Sequence, residues 1–264
     1  MIHSTAIIHP KAELDSTVSV GPFAVIDEAV SIGPRCTIGP HAYLTGRTTI
    51  GENNRFHAGC VVGNAPQDLK YKGDPTSLRI GDNNTFREHV TVNRSTHPGD
   101  WTIIGSNNLL MASCHVAHDV VIGDHAIIVN GALLGGHVTV GDRALISGNC
   151  LVHQFVRVGT LAIMQGGSAI SQDLPPFTVA RGDNGICGLN IIGLRRAGLS
   201  SERRLELRKL YQLLFRSGMK VADAVAAAEK SFKSEPSRLL IDFVRTSKRG
   251  VCADTGKSSE SADG

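Results

Sequence analysis

Residues 115–128 read His115-Val116-Ala117-His118-Asp119-Val120-Val121-Ile122-Gly123-Asp124-His125-Ala126-Ile127-Ile128. Val116, Ile122 and Ile128 stand six residues apart, and the beat extends both ways. Downstream it runs through Leu134, Val140, Ile146, Val152, Val158, Met164 and Ile170. Upstream it passes Leu110 and Ile104, then, beyond a gap, Val92, Phe86 and Ile80. Beyond a second gap it continues from Val62 back through Phe56, Ile50, Leu44, Ile38, Ile32, Ile26, Val20 and Leu14 to Ile8. A small or β-branched residue often stands two places earlier, as at Ala6, Ala12, Ala24, Ala42, Val120, Ala126, Ala132 and Ala144.

A helix of period 3.6 cannot hold a six-residue register this long. Two residues spaced by two share one face of a strand, so the small and large residues both point inward. Glycine often follows the large residue (Gly21, Gly33, Gly39, Gly51, Gly63, Gly81, Gly105, Gly123, Gly135, Gly141, Gly159), and we expect it to make a corner with positive φ. Three strand-and-corner units closing a triangle give about 18 residues per coil, each coil stacking on the last. This is the hexapeptide-repeat signature. Its resemblance implies a left-handed parallel β-helix, the hand coming from the resemblance and not from the period.

The expected organisation is mainly β: a β-helix over 1–188, a C-terminal α-helical domain over 189–250, and a tail, 251–264, without fixed structure. Two loops leave the coil at about 64–78 and 93–101, where Pro66, Gly73, Pro75, Pro98 and Gly99 interrupt the beat. Residues 177–190 read as a crossing segment. Leu205, Leu207, Leu210, Leu213 and Leu214 suit an amphipathic helix ending at Gly218, followed by helices from Val221 to Phe232 and Pro236 to Ser247.

Aromatics are only 5% of the 264 residues, so the core must be aliphatic. The net charge of +3 is uneven: residues 189–250 hold 14 Lys/Arg against 6 Asp/Glu, whereas 1–188 hold 12 against 15. The basic C-terminal third suits an acidic partner, or is a solvated helical face. Cys36, Cys60, Cys114 and Cys150 occupy the small inward position and read as core fillers, which favours a reducing compartment. No basic-then-apolar leader opens the chain and no window of about 18 apolar residues occurs, so we expect a cytoplasmic protein without a transmembrane segment.

The chemistry gathers at His115, His118, Asp119, His137 and His153, none of them at an inward position. At about 18 residues per coil, His118, Gly136 and Gln154 stack in one column and Asp119, His137 and Phe155 in the next. An imidazole can take a proton from a sugar hydroxyl, and a carboxylate can orient its ring. A glycine N–H, unobstructed by a side chain, can hold an oxyanion. That set suits acyl transfer. A zinc site is the competing reading, since histidines shared across subunits bind zinc in γ-type carbonic anhydrases of this fold class. It would leave Asp119 and Gly136 without a task, so neither metal nor cofactor is expected. The bland reading is a corner histidine paired with Asp119.

The sequence resembles the cytoplasmic UDP-N-acetylglucosamine O-acyltransferases that begin lipid A synthesis. The matching stretches are Pro66-Gln67-Asp68-Leu69-Lys70-Tyr71, Asn108-Leu109-Leu110-Met111, His115-Val116-Ala117-His118-Asp119, Gly135-Gly136-His137-Val138, Val152-His153-Gln154-Phe155, Gln172-Asp173-Leu174-Pro175-Pro176 and Gly188-Leu189-Asn190-Ile191-Ile192-Gly193-Leu194-Arg195-Arg196. The resemblance implies His118 as general base, Asp119 as its partner and Gly136 as oxyanion donor. It implies Asp68, Lys70, His115, His137, His153, Gln154, Asn190 and Arg196 as the lining of the nucleotide-sugar and acyl site. The implied donor is a 3-hydroxyacyl chain on the acidic acyl carrier protein, and the implied assembly is a homotrimer with sites between subunits. No nucleic acid is implied.

Three positions depart from better-known members: Ile192 replaces a glutamate near the nucleobase, Asn93 a histidine, and Gln165 a glycine. Gly166 matches the position that limits acyl length, and glycine there suggests a deep groove, with Gln165 beside it placed as a cap. The alternatives are acylation of a 3-amino sugar, the sister N-acyltransferase of the same pathway, and a non-catalytic trimeric β-helix that binds carrier protein. The sister enzyme normally carries an extra N-terminal domain, whereas the repeats here begin by Ile8.

Overall fold

The structure is a computed structural model that describes residues 1–256. Short strands of mostly two residues alternate with corners, and from Ile7–Ile8 to Ala169–Ile170 each pairs in parallel with the strand three places before or after it. Three sheets of nine, eight and eleven strands result, the walls of a left-handed β-helix. His115–Val116 pairs with Leu133–Leu134, which pairs with Leu151–Val152, so the register advances by three hexads per coil. Where the loops leave, the coil lengthens: Val62 pairs with Val92 and Val92 with Val116, steps of five and four hexads.

The core follows the inward pairs. Ala24, Ile26, Ala126, Ile128, Ala132 and Leu134 are all buried, and Phe56 stacks on Phe86 at 4.6 Å between centroids. Burying each large aliphatic contributes about 1.5–3 kcal/mol. The cysteines are free and buried, and burial pushes the thiols of Cys60 and Cys114 up to about 11 and about 12. They are packing atoms, not nucleophiles.

The glycines do not turn the corners by positive φ as expected. Of the glycines that follow the large residue, only Gly63 has positive φ. The left-handed residue lies two places further on and is usually not glycine: Asn107 (φ 61), Asp119 (φ 60), His125 (φ 58) and His137 (φ 60) hold it. Asn, Asp and His tolerate that region better than most residues. Gly39 serves the stacking of coils instead: a Cβ there would sit 2.7 Å from the Phe56 carbonyl oxygen.

Between glycine and left-handed residue lies a corner position whose N–H the coil does not need. Pro22, Pro34 and Pro40 occupy it without an N–H to give. On one corner side chains of the next coil accept it: Ser106 N–H donates to Asp124 Oδ1 (2.6 Å) and Asp124 N–H to Asp142 Oδ1 (2.9 Å).

The crossing segment holds two strands. Thr178–Ala180 continues the coil, and Gly185–Leu189 turns back antiparallel to it. Helix α1 (Ile191–Arg196), absent from the sequence reading, starts at Asn190, whose side chain caps it. Then come α2 (Ser201–Arg216), α3 (Val221–Ser231) and α4 (Glu235–Arg245), with Ser200 and Ser234 as N-caps of α2 and α4. Leu207, Leu210 and Leu214 form the buried stripe of α2, but Leu205 is 52% exposed, outside that stripe. The stretch expected to lack fixed structure from 251 begins with a strand, Ala253–Asp254, paired with Gly185–Ile186. Tyr211 and Arg216 of α2 both donate to the Asp254 carboxylate and hold it there. The rest of that stretch, 257–264, lies outside the described residues. No described helix is long and apolar enough to cross a membrane.

Candidate active site

His118 and Asp119 share the corner between the nine-strand and eight-strand walls. The positive φ of Asp119 turns its carboxylate back onto the preceding ring, with Oδ2 2.8 Å from His118 Nδ1. Three further contacts fix the pair. Asp119 N–H donates to Thr102 Oγ1 (2.8 Å), Thr96 N–H donates to Asp119 Oδ1 (3.2 Å), and Thr96 Oγ1 lies 2.8 Å from His118 Nδ1. The corner faces outward from the coil, yet His118 is only 9% exposed. The first loop supplies Asp68, whose Oδ2 is 4.0 Å from His118 Nε2.

One coil further, Gly136 lies under the His118 ring, its N–H at the position that proline fills elsewhere. Among the described residues this N–H has no acceptor, whereas Gly135 N–H donates to Val152 O (2.9 Å) and His137 N–H to His118 O (3.0 Å). His137 Nε2 is 3.6 Å from Asp119 Oδ2, and its ring stacks on Phe155 at 4.4 Å. His115 Nδ1 is 2.7 Å from Thr91 Oγ1. Burial pushes His115 below the usual histidine range, and His118 adds to the shift. Burial does the same to His137, against the pull of Asp119. The Lys70 N–H, bonded to Asp68 Oδ1 at 2.9 Å, holds the Asp68 carboxyl low.

A groove of about 650 Å³ opens beside these groups, along the outer face of the nine-strand wall. Gln67, His115, His118, Gly136 and His153 are among its polar lining, with Ser171, Asp183 and Asn184, and Leu133, Leu151 and Ala169 form an apolar strip. Lys70 and Gln154 are both exposed and do not line it.

Other residues picked from the sequence lie elsewhere in the chain. Gly166 stands on a different corner, stacked beyond Gly148, whose carbonyl accepts from Gly167 N–H (2.9 Å). Gln165 beside it accepts from Arg181 Nε at 2.7 Å, so its amide is tied to that arginine and is not a free cap. Asn190 lies off the coil, before α1, and donates to Leu161 O (2.9 Å) on the corner between the eight- and eleven-strand walls, with Arg196 exposed at the end of α1. Ile192 is 56% exposed on α1. Asn93 ties the two loops, donating to Ala65 O at 2.9 Å. One chain thus gathers Asp68, His115, His118, Asp119, Gly136, His137 and His153, and leaves Gly166, Asn190 and Arg196 apart. Thr96, Thr102 and Thr91 belong to the gathered set and were missed, because nothing in the repeat marks them.

His118, Asp119 and His137 offer three donor atoms within 4.8 Å of one another. The 2.8 Å between His118 Nδ1 and Asp119 Oδ2 is a hydrogen-bond length. It is shorter than the roughly 3.3 Å edge of a tetrahedral site with bonds of about 2.0 Å. The arrangement is a hydrogen-bonded dyad.

Residues 173–252 match the family described as UDP N-acetylglucosamine O-acyltransferase, domain 2, and residues 29–64 and 102–136 match bacterial transferase hexapeptide repeats. An acyl-[acyl-carrier-protein]–UDP-N-acetylglucosamine O-acyltransferase of Akkermansia muciniphila is 53% identical over 255 residues, 95% of this chain and 98% of that one. The chain belongs to the UDP-N-acetylglucosamine O-acyltransferase family. The protein of the same name from Thermodesulfovibrio yellowstonii is 44% identical over 254 residues, with the same coverage. Among solved structures, the UDP-N-acetylglucosamine acyltransferase of Bacteroides fragilis superposes with a TM-score of 0.91 at 41% identity, covering 95% of this chain and 99% of that one. That of Francisella novicida gives 0.94 at 33%, covering 100% and 99%. As a member of this O-acyltransferase family the chain is an acyltransferase, and its hexapeptide β-helix with a helical C-terminal region is the architecture of these relatives.

Proposed function

We propose that this acyltransferase moves a 3-hydroxyacyl chain from acyl carrier protein to the 3-hydroxyl of UDP-N-acetylglucosamine, the first step of lipid A synthesis, in the cytoplasm. The observation that carries the mechanism is the His118–Asp119 bond of 2.8 Å, with the ring lying over Gly136. Nδ1–H is donated to the carboxylate, which leaves the Nε2 lone pair free. Nε2 takes the proton of the sugar hydroxyl as its oxygen attacks the thioester carbonyl. The unpaired Gly136 N–H holds the resulting oxyanion. Collapse breaks the C–S bond, and the thiolate leaves with the proton from His118, giving ester and free carrier thiol.

Asp68, Lys70, His115, His137, His153 and Gln154 then bind the sugar nucleotide, and the Leu133–Leu151–Ala169 strip takes acyl methylenes. Gly166, Asn190 and Arg196 join a site from a neighbouring copy. This is the reason to propose a homotrimer, since the three corners of one chain cannot meet. The basic segment 189–250 faces the acidic carrier. No resident metal or cofactor has a part in this scheme.

The test is transfer from 3-hydroxyacyl carrier proteins of several lengths to UDP-N-acetylglucosamine, followed by mass spectrometry of the product. His118→Ala loses nearly all transfer with its oligomeric state unchanged. Normal transfer by that variant refutes the mechanism, and a product formed only with a 3-amino acceptor refutes the ester assignment.

A further inference from the structure

Thr96 lies on the second loop, outside the repeat, and is 1% exposed. It makes two hydrogen-bond contacts with the dyad. Its hydroxyl oxygen is 2.8 Å from His118 Nδ1, the same distance as Asp119 Oδ2 from that atom. Its N–H donates to the other carboxylate oxygen of Asp119 at 3.2 Å. The loop is braced beneath it: Ser95 N–H donates to Ser77 O (3.2 Å), Ser77 N–H to Ser95 Oγ (3.2 Å), and Ser95 Oγ–H to Asp100 O (2.6 Å). Thr96 is therefore held at a fixed place on a short turn.

Nδ1 carries either one proton or one in-plane lone pair, so two oxygens at equal distance pose a choice. If the Thr96 hydroxyl donates, Nδ1 is bare and Nε2 carries the proton. The Asp119 carboxylate would then face a lone pair across a hydrogen-bond distance, and Nε2 could not accept from a substrate. If Nδ1 is protonated, Asp119 accepts a charge-assisted bond, about twice as strong as a neutral one. The second arrangement wins, and Thr96 Oγ1 becomes the second acceptor of the same N–H. It then resists rotation of the ring away from Asp119 while the Thr96 N–H fixes the carboxylate rotamer.

Resting on His118 as the base, we infer that Thr96 is a positioning residue of the acyl transfer: shared between His118 Nδ1 and Asp119, it holds the ring in the plane and tautomer that leave Nε2 free. The test compares Thr96→Val, Thr96→Ala and Thr96→Ser in the full chain. Valine keeps the shape without the hydroxyl, and alanine leaves room in case valine packs badly. Both lower kcat about tenfold, as loss of one bond to a charging group does, with KM changed less than twofold. Serine, which restores the oxygen, stays within threefold of wild type. In ¹⁵N-histidine spectra, with the His118 signals assigned by their loss in His118→Ala, the wild type shows protonated Nδ1, and the valine and alanine variants show a mixture of tautomers. Wild-type kcat in both valine and alanine, unchanged His118 signals in both, or failure of serine to restore rate would each overturn the inference. If His118→Ala is inactive while Thr96→Val and Thr96→Ala keep full rate, only this inference falls. If His118→Ala is active, the mechanism above falls with it.

Discussion

The His118 ring occupies the space that a side chain on Gly136 would need. A Cβ at residue 136 would sit 2.5 Å from His118 Cε1 and 2.6 Å from Nε2. The corner itself tolerates side chains, since His118 and Gln154 hold the equivalent positions one coil before and after. Gly136→Ala should therefore fold normally, with a melting temperature within a few degrees of wild type. Its N–H remains, but its transfer rate should fall on the order of a hundredfold, because the Cβ pushes the His118 ring out of line with the oxyanion donor it must work beside. A rate near wild type would separate Gly136 from the chemistry.

Acid should weaken the fold through His115 and His137. Both have folded-state pKa values below the ordinary 6.5, burial being the main cause. Below about pH 6.5 the unfolded chain binds protons that the folded chain refuses. Stability from these two groups is thus complete above that pH and is lost progressively as pH falls through the window beneath it. Thermal melting from pH 7.5 to 5 should show this slope, and a His115→Gln, His137→Gln double variant should flatten it. An equal slope in the double variant would assign acid sensitivity to other groups.

The coil was legible because one rule, a large aliphatic residue every six, repeats from Ile8 to Ile170 and fixes which side faces in. The same arithmetic placed His118 over Gly136, one coil away. It failed wherever the period breaks. Thr96 reaches His118 from an insertion that lengthens one coil from three hexads to four, so no column count could find it. The glycines were misread because a glycine needed for close stacking and one needed for positive φ look alike in sequence. Helix α1 was missed because six residues carry too little periodicity, although the Asn190 cap was present to be read.

The first loop should depend on Tyr71. Arg94 Nη2 donates to the Tyr71 hydroxyl (2.8 Å), and its guanidinium lies 5.5 Å from the ring centroid. The same hydroxyl donates to Asp74 O at 2.7 Å, closing the loop that carries Gln67 and Asp68. Tyr71→Phe removes both bonds and keeps the ring. We expect KM for the sugar nucleotide to rise about three- to tenfold with kcat little changed, in line with about 0.5 kcal/mol for each of the two lost hydrogen bonds. Limited proteolysis should cut between residues 66 and 76 faster than in wild type. Unchanged KM and unchanged cleavage would show that the loop is held by other contacts.

Asp173 joins the end of the coil to the helical region, and its carboxylate is almost wholly buried. Oδ1 accepts from Arg157 N–H (2.9 Å), and Oδ2 from Arg157 Nε (2.8 Å) and Ser247 Oγ (2.8 Å). Arg157 also donates to Phe243 O at 2.9 Å, so one ion pair bridges the coil and the end of α4. Removing one partner of a fully buried pair costs about 3–5 kcal/mol. Arg157 is 30% exposed and keeps some hydration, so about 2–3 kcal/mol is the expectation for Asp173→Ala. Asp173→Asn keeps the acceptor for the Arg157 N–H and should lose less. Urea unfolding with a probe on the helices tests both the size and the place of the effect. The alanine variant should release the helical region before the coil, splitting one transition into two, whereas a single transition at wild-type midpoint would mean that the apolar contacts of Leu207, Leu210 and Val244 suffice to hold it.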